Sequence, residues 1–501
     1  MKVEVNSVAS RGSLALDDKT SMLSSTLSTA KNTDLNISFP AVSLLKKVES
    51  ANIGVVSLKA GQLLDKDSGG ALYTRDARFV EYEGDVYRVK NPFYSNYVAA
   101  EEVVMGCLFR MTGLDAPAML LCNGCEDFFS FSKKTRADFK DDSNLSDFAC
   151  VASRLEPSYK DLGGFLLDAK VMEQLIRKSE VHASASHVAE RLAGYQDVVK
   201  TYQDADSRLS DIYKKYPDNS HRNFAKVLVE VKKENLIKFN ALEALNKYLP
   251  EDLFVEQQKH FFVSRLINNW DYLNFSFCNF GYFLPDGNDD LQFRGMTVDF
   301  GGSGTLGFGG YSKGESFERA TKGARPENPL ESTSLFERKD STFSSDFPKS
   351  LSGISTIPRS RPLLSTIKDF IRLETEVYEA RNFNSYNKNL EPALEVAYRL
   401  SVLPEAAIER YLSESWVMGS DEFPYRDKDV QNNVDVKKIV SVIKDRKNSF
   451  IEYFSADVVS RWEERNPLQA ARVRGEVEKS LESVIKAKYL VAPLSVQGLT
   501  V

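Results

Sequence analysis

The pattern of apolar and polar positions changes character twice along the chain. Ile53-Gly54-Val55-Val56-Ser57-Leu58 reads as a strand, Asp65-Lys66-Asp67-Ser68-Gly69-Gly70-Ala71 as a turn, and Arg78-Phe79-Val80-Glu81-Tyr82 as the next strand. Gly84-Asp85 marks a hairpin turn into a third strand, Val86-Tyr87-Arg88-Val89-Lys90. On this reading Ser68, Gly69 and Gly70 lie between the first two strands, where backbone N–H groups can approach an anion closely. Asn91-Pro92 breaks the run. Residues 97–112 then take a helical period, with Val98, Val104, Met105, Leu108 and Met111 on or near one face. Gly113 stops that helix and Pro117 prevents its continuation. Strands are expected at 118–122 and 128–131, and again from 148 until the break at Glu156-Pro157.

From about 166 to 254 the pattern is helical and strongly charged, with three- and four-residue spacing in 171–179, 189–214 and 224–246. A helix over 251–269 leads into Asp271. Beyond the glycine-rich residues 301–310 lies a polar stretch, 323–361, dense in Ser, Pro, Lys and Arg and long for a connection within a compact domain. Helices are expected again over 365–380, 391–399, 405–415, 436–454 and 458–487.

Composition narrows the class. Of 501 residues, 42% are hydrophobic and 11% aromatic, enough for a real core. A net charge of -6 argues against a general nucleic-acid binder. The five cysteines are odd in number and scattered, which suits a reducing compartment and thiols used as small apolar side chains. Cys122 and Cys125 form a lone Cys-x-x-Cys with no second pair, so zinc is not expected, and His182, His187 and His221 show no ligand spacing. No apolar run is long enough to span a membrane, and the start lacks the layout of a secretory signal, so a soluble protein is expected. The helix near Val436 has a basic edge, but nearby Glu and Asp argue against membrane contact. Residues 1–48 are rich in Ser and Thr and poor in large apolar residues; a mobile segment is expected, of a composition resembling bacterial type III export signals.

Three short motifs carry the candidate chemistry: Asn269-Trp270-Asp271, Asn279-Phe280-Gly281 and Val298-Asp299-Phe300-Gly301-Gly302. Phosphoryl transfer from a magnesium nucleotide needs one carboxylate facing the acceptor hydroxyl, and an amide oxygen with a second carboxylate on the metal. Asp299 between Val298 and Phe300 would be a costly buried charge without a metal or other partner. Upstream, Lys90 ends a strand and Glu102 sits early in the next helix, the ion pair with which kinases orient phosphate.

The order of these parts, with Leu108-Phe109-Arg110-Met111-Thr112-Gly113-Leu114-Asp115-Ala116-Pro117 closing the helix, resembles the atypical kinase branch of HipA-like and phosphatidylinositol 3-/4-kinase-like proteins. The resemblance covers about 53–310 and implies an α+β, two-lobed protein-kinase-like fold. Its parts would be an N-lobe of small antiparallel sheet and one helix over 49–160, a helical insertion over 161–255, and a catalytic and metal-binding core over 256–322. An activation or substrate loop over 323–361 and a helical C-lobe over 362–501 would follow. It implies ATP and Mg²⁺ as cofactors, with Ser68, Gly69 and Gly70 over the phosphates and Lys90 on the α/β-phosphates. Glu102 would hold Lys90, with Glu101 the alternative if the helix phase differs by one residue. The backbone around Ser153 and Leu155 would meet the adenine, Asp271 would act as base or hydroxyl-orienting group, and Asn279 and Asp299 would bind Mg²⁺. The leading expectation is a kinase acting on Ser/Thr hydroxyls of a protein, in the manner of an effector delivered into a host cell. A phosphoinositide or lipid kinase and a pseudokinase scaffold are the competing readings. The scaffold reading draws on the eight-residue step from Asp271 to Asn279, where most kinases have about five.

Overall fold

The structure is a computed structural model and describes residues 55–57, 62–64, 77–82, 84–90, 96–123, 150–216, 224–267, 269, 272, 277–285, 291–301, 303–304, 391–415, 436–454 and 456–490. The expectations for residues 1–48, the Ser68–Gly70 turn, the 128–131 strand, Asp271, the 323–361 loop and the 365–380 helix lie outside them.

The chain begins with strands. β1 (Val55–Ser57), β2 (Gln62–Leu64), β3 (Ala77–Tyr82) and β4 (Asp85–Lys90) are followed by helix α1 (Asn96–Met111), β5 (Met119–Asn123) and β6 (Cys150–Arg154). They form a six-stranded sheet in the order β1-β5-β6-β4-β3-β2, in which every pair is antiparallel except β1 with β5. The β3–β4 hairpin closes at Tyr82 opposite Asp85 through a two-residue turn, and Gly84 takes φ +82, a conformation side chains with a Cβ rarely adopt. Val80, Val89, Cys122, Cys150 and Ala152 form a shared buried cluster in this sheet, so both cysteines serve as small apolar core groups.

One topological expectation is corrected here. The first expected strand does not pair with the strand after the glycine turn; β1 joins β5 across the sheet, and the unforeseen β2 is the partner of β3. Ser68–Gly70 therefore falls in the β2–β3 connection. Three residues after Gly61 are too short to show an alternation, so only the pairing defines β2.

A second sheet, β7 (Lys160–Asp161), β8 (Phe280–Phe283) and β9 (Arg294–Thr297), is antiparallel throughout. Helices α2 (Leu162–Leu167), α3 (Ala169–Ser179), α4 (Ala185–Lys215), α5 (Phe224–Asn246) and α6 (Glu251–Leu266) fill most of the chain between β7 and β8. The starts of α2, α3 and α4 follow capping rules: Asp161, Asp168 and Ser184 each accept from the backbone N–H three residues on. The chain continues with α7 (Glu391–Val402), α8 (Glu405–Ser415), α9 (Val436–Phe454), α10 (Ala456–Arg465) and α11 (Pro467–Leu490). The single helix expected over 458–487 is thus two. Pro467 lacks the N–H that a continuous helix would use and starts the second, while Asn466 bonds back to Trp462.

A buried polar network ties these helices together. Arg399 of α7 is almost completely shielded and donates to Glu395 of its own helix, to Glu476 of α11 and to the Thr112 carbonyl just past α1. Lys259 of α6 and Gln469 of α11 also donate to Glu395. The end of α1 is thereby fixed to the C-terminal helix, and Arg110 adds a bond to Ser483. A small, mostly antiparallel sheet part carrying one helix is joined to a larger, mostly helical part.

Candidate active site

Lys90 is the last residue of β4, held in register by Val151 of β6 on one side and Ala77 of β3 on the other. Glu102 lies in the second turn of α1, a helix whose apolar residues Val103, Val104, Met105 and Leu108 are buried. Asp299 follows β9 and is carried toward both. The Lys90 Nζ lies 2.8 Å from Glu102 Oε1 and 2.6 Å from Asp299 Oδ1. Glu102 is almost fully shielded; the other two side chains keep a fifth of their surface.

The charges shape one another. Burial alone would lower the Lys90 ammonium, but Asp299 and Glu102 together hold it above the ordinary lysine value. Burial would raise Asp299, yet Lys90, with help from Arg88 and the Gly301 N–H, holds its carboxyl down to about 2. Burial dominates at Glu102 and pushes it up, against the pull of Lys90. Glu102 Oε2 is shielded from water and has no hydrogen-bond partner among the described residues. With both carboxylates ionised, one lysine leaves the cluster one charge negative, a balance that a further cation would offset.

Local backbone geometry serves the same point. Asp299 adopts φ +61 and accepts from Gly301 N–H at 3.2 Å through Oδ1. Non-glycine residues pay for that conformation, and Asp tolerates it better than most. A Cβ on Gly301 would stand 3.2–3.3 Å from Glu102 Oε2, Asp299 Oδ1 and Lys90 Nζ, so glycine lets the three groups converge over the backbone. Phe300 turns inward beneath α1, against Phe109 with ring centroids 5.4 Å apart; Gly106 leaves the space it occupies. Phe109 in turn meets His260, and His260 meets Phe280. The His260 Nδ1 is 2.8 Å from Thr297 Oγ1, while burial keeps the imidazole well below its usual pKa and therefore neutral. An aromatic stack thus links the helix that carries Glu102 to the loop that carries Asp299.

Asn279 is brought to the same place by the β8–β9 ladder. Phe280 pairs with Thr297, and Val298 N–H donates to the Asn279 carbonyl at 2.8 Å, which puts Asn279 beside the start of the Asp299 turn. Its side chain is buried, with Cys278 Sγ 3.5 Å from its Oδ1. Two residues before Asn279, Phe277 adopts φ +53, a costly conformation for an aromatic residue, with its carbonyl accepting from Gly163 N–H. Among the described residues no three His, Cys, Asp or Glu side chains form a metal cage. Asp299 and Asn279 offer hard oxygens, which suit Mg²⁺ when phosphate and water oxygens complete its shell. The residues present fit that ion.

The structure brings the side chains of Lys90, Glu102 and Asp299 together and sets the Asn279 backbone beside the start of the Asp299 turn. It assigns the contact with Lys90 to Glu102; Glu101, also buried, lies where a Cβ on Gly304 would strike it. Ser153 is in β6 opposite Arg88 and Met119, and Leu155 N–H donates to the Val86 carbonyl at 2.7 Å. That amide is used within the sheet, so a base edge would have to meet other backbone groups at this strand end. Ser68, Gly69, Gly70 and Asp271 are not among the described residues. Sequence reading passed over Arg88, two residues before Lys90 and so on the same strand face, whose charge acts on Glu102 and Asp299. The period-two rule could have found it.

A small, mostly antiparallel sheet part with one helix and a larger, mostly helical part make a two-lobed α+β fold, with a strand Lys–helix Glu–turn Asp cluster linking residues of both. No family model matches the chain, and no curated protein does. A solved structure similar to it is the crystal structure of a Helicobacter pylori proinflammatory kinase, CtkA, at 11% identity and a TM-score of 0.35, covering 81% of this chain and 98% of that one. Likeness at that level leaves the functional reading to the residues of the site.

Proposed function

We propose that the chain is an ATP- and Mg²⁺-dependent kinase that transfers the γ-phosphoryl group to a Ser or Thr hydroxyl of a protein. The observation that carries this reading is the convergence of Lys90, Glu102 and Asp299 over Gly301, with Asn279 delivered beside Asp299. Lys90 meets the α/β-phosphates while Glu102 holds its ammonium in place. Asp299, ionised at any physiological pH, and Asn279 would hold Mg²⁺. The ion held there would supply positive charge against the negative charge that builds up during transfer. Asp271 orients the acceptor hydroxyl and takes its proton as the new O–P bond forms and the β–γ bridging O–P bond breaks. Reading residues 1–48 as an export signal belongs to this proposal and stands on composition.

The test is transfer of label from γ-labelled ATP to the chain itself or to a generic protein substrate in the presence of Mg²⁺. Transfer should occur with the wild-type chain and vanish in Asp299→Ala. Nucleotide binding without turnover would replace this reading with a scaffold, and transfer only to lipid vesicles would replace the protein substrate. Transfer that survives both Lys90→Ala and Asp271→Ala would remove the mechanism.

A further inference from the structure

The two faces of the large sheet differ in what they carry. Val80, Val89, Cys122, Cys150 and Ala152, with Tyr82, Tyr87 and Leu120 packed against them, lie on one. Side chains alternate along each strand, so Arg88 and Lys90 of β4, Val151 and Ser153 of β6, and Met119 and Leu121 of β5 lie on the other. Two contacts show that this second face is the one turned to the candidate site. Lys90 reaches Glu102 of α1 and Asp299 from it. Met119 reaches α1 from it as well: a Cβ on Gly106 would run into the Met119 sulfur and against the Phe300 ring.

Arg88 lies between these two anchors. The strand register sets it directly opposite Ser153, and Ser153 opposite Met119, while Lys90 is opposite Val151. Two residues separate Arg88 from Lys90, about 7 Å along the strand. Two more in the other direction lead to Val86, whose carbonyl takes the Leu155 N–H where the chain leaves the sheet. The Arg88 side chain is only partly buried, and its charge helps hold the Asp299 carboxyl down. One strand face of the cleft therefore carries two cations.

We infer that Arg88 is a second nucleotide-contacting cation, its guanidinium meeting the phosphate nearest the ribose while Lys90 meets the phosphates further along. The inference rests on the kinase reading, in which the phosphates lie at Lys90 and the base at the Leu155 end of the strands; Arg88 is halfway between. A guanidinium presents a planar fork of donors that matches two phosphate oxygens at once, and it stays charged at any working pH. The charge balance favours it too. With Glu102 and Asp299 both ionised, Lys90 alone leaves the cluster one charge negative, which repels a polyphosphate, and Arg88 brings the sum to zero.

The test compares the full-length wild-type chain with Arg88→Met and Arg88→Lys in Mg²⁺, using ATP and, as a probe without phosphates, adenosine. Calorimetric titration reads the ATP affinity, and displacement of ATP reads that of adenosine. Arg88→Met should weaken ATP about tenfold and leave adenosine within about twofold of wild type, with Arg88→Lys recovering part of the ATP affinity. Unchanged ATP affinity in Arg88→Met would overturn the inference and leave the kinase reading standing. Equal weakening toward ATP and adenosine would also overturn it, because the side chain would then be meeting the base or shaping the cleft. A wild-type chain that binds neither ligand would sink the kinase reading and this inference with it.

Discussion

Lys90 Nζ lies 2.6 Å from Asp299 Oδ1, although 209 residues separate them in the chain. The same ammonium holds Glu102, so one cation ties a strand end, a helix and a turn into a single cluster. Removing it would leave two carboxylates facing each other. Lys90→Met should therefore lose phosphoryl transfer and also stability. Breaking a buried pair costs about 3–5 kcal/mol, and the partial exposure of Lys90 places the loss toward the lower end. In Lys90→Met/Glu102→Gln the penalty should be partly relieved. Denaturant unfolding of the two single variants and the double variant measures the coupling; additive losses would show that the pair does not interact in solution.

Magnesium should matter through Asp299 and Asn279 together. Asn279→Ala should raise the Mg²⁺ concentration needed for half-maximal transfer, with a smaller effect on folding than Asp299→Ala. A Mg²⁺ titration of the transfer rate at saturating ATP reads this directly. An unchanged Mg²⁺ requirement in Asn279→Ala would remove that residue from the metal site.

Acid should unfasten the helical part through Glu395. Burial would raise this carboxyl, but Arg399 and Lys259 hold it down to about 2. A folded-state pKa below the unfolded value of roughly 4.3 gives stability that is present above pH 4.3 and lost as pH falls toward 2. Glu395→Gln should cost about 3–5 kcal/mol at neutral pH, because it leaves Arg399 and Lys259 undercompensated. It should also flatten the acid limb of the stability curve over that window. Chemical unfolding from pH 6 to pH 2.5 tests both, and a parallel acid limb in the variant would contradict the assignment.

Two glycines separate backbone strain from steric exclusion. Gly84 and Gly304 both have positive φ, +82 and +73. A Cβ on Gly84 meets nothing within 4 Å, whereas one on Gly304 would overlap the buried Glu101 carboxylate. Gly84→Ala should cost about 1 kcal/mol for its conformation alone, and Gly304→Ala clearly more. Thermal melts of the two variants give the comparison; equal losses would mean that Glu101 can move aside.

The sequence by itself determined the local elements and the order of the chemistry. Alternation from Arg78 to Lys90 defined the β3–β4 hairpin, the three- and four-residue period defined α1, α5 and α9, and Asp299 between two apolar residues announced a charge in need of a partner. These features depend on neighbours a few residues apart, which a linear pattern records. Pro467 was legible too, as a helix break that apolar periodicity alone overlooked. Only the tertiary structure decided between Glu101 and Glu102. One residue turns a helix by about 100 degrees, and the packing of α1 on the sheet selects which carboxylate meets Lys90. The pairing of β1 with β5 and the Arg399–Glu395–Glu476 network likewise belong to contacts between distant segments. Such contacts are set by the shape of the folded core, and no run of neighbouring residues encodes them.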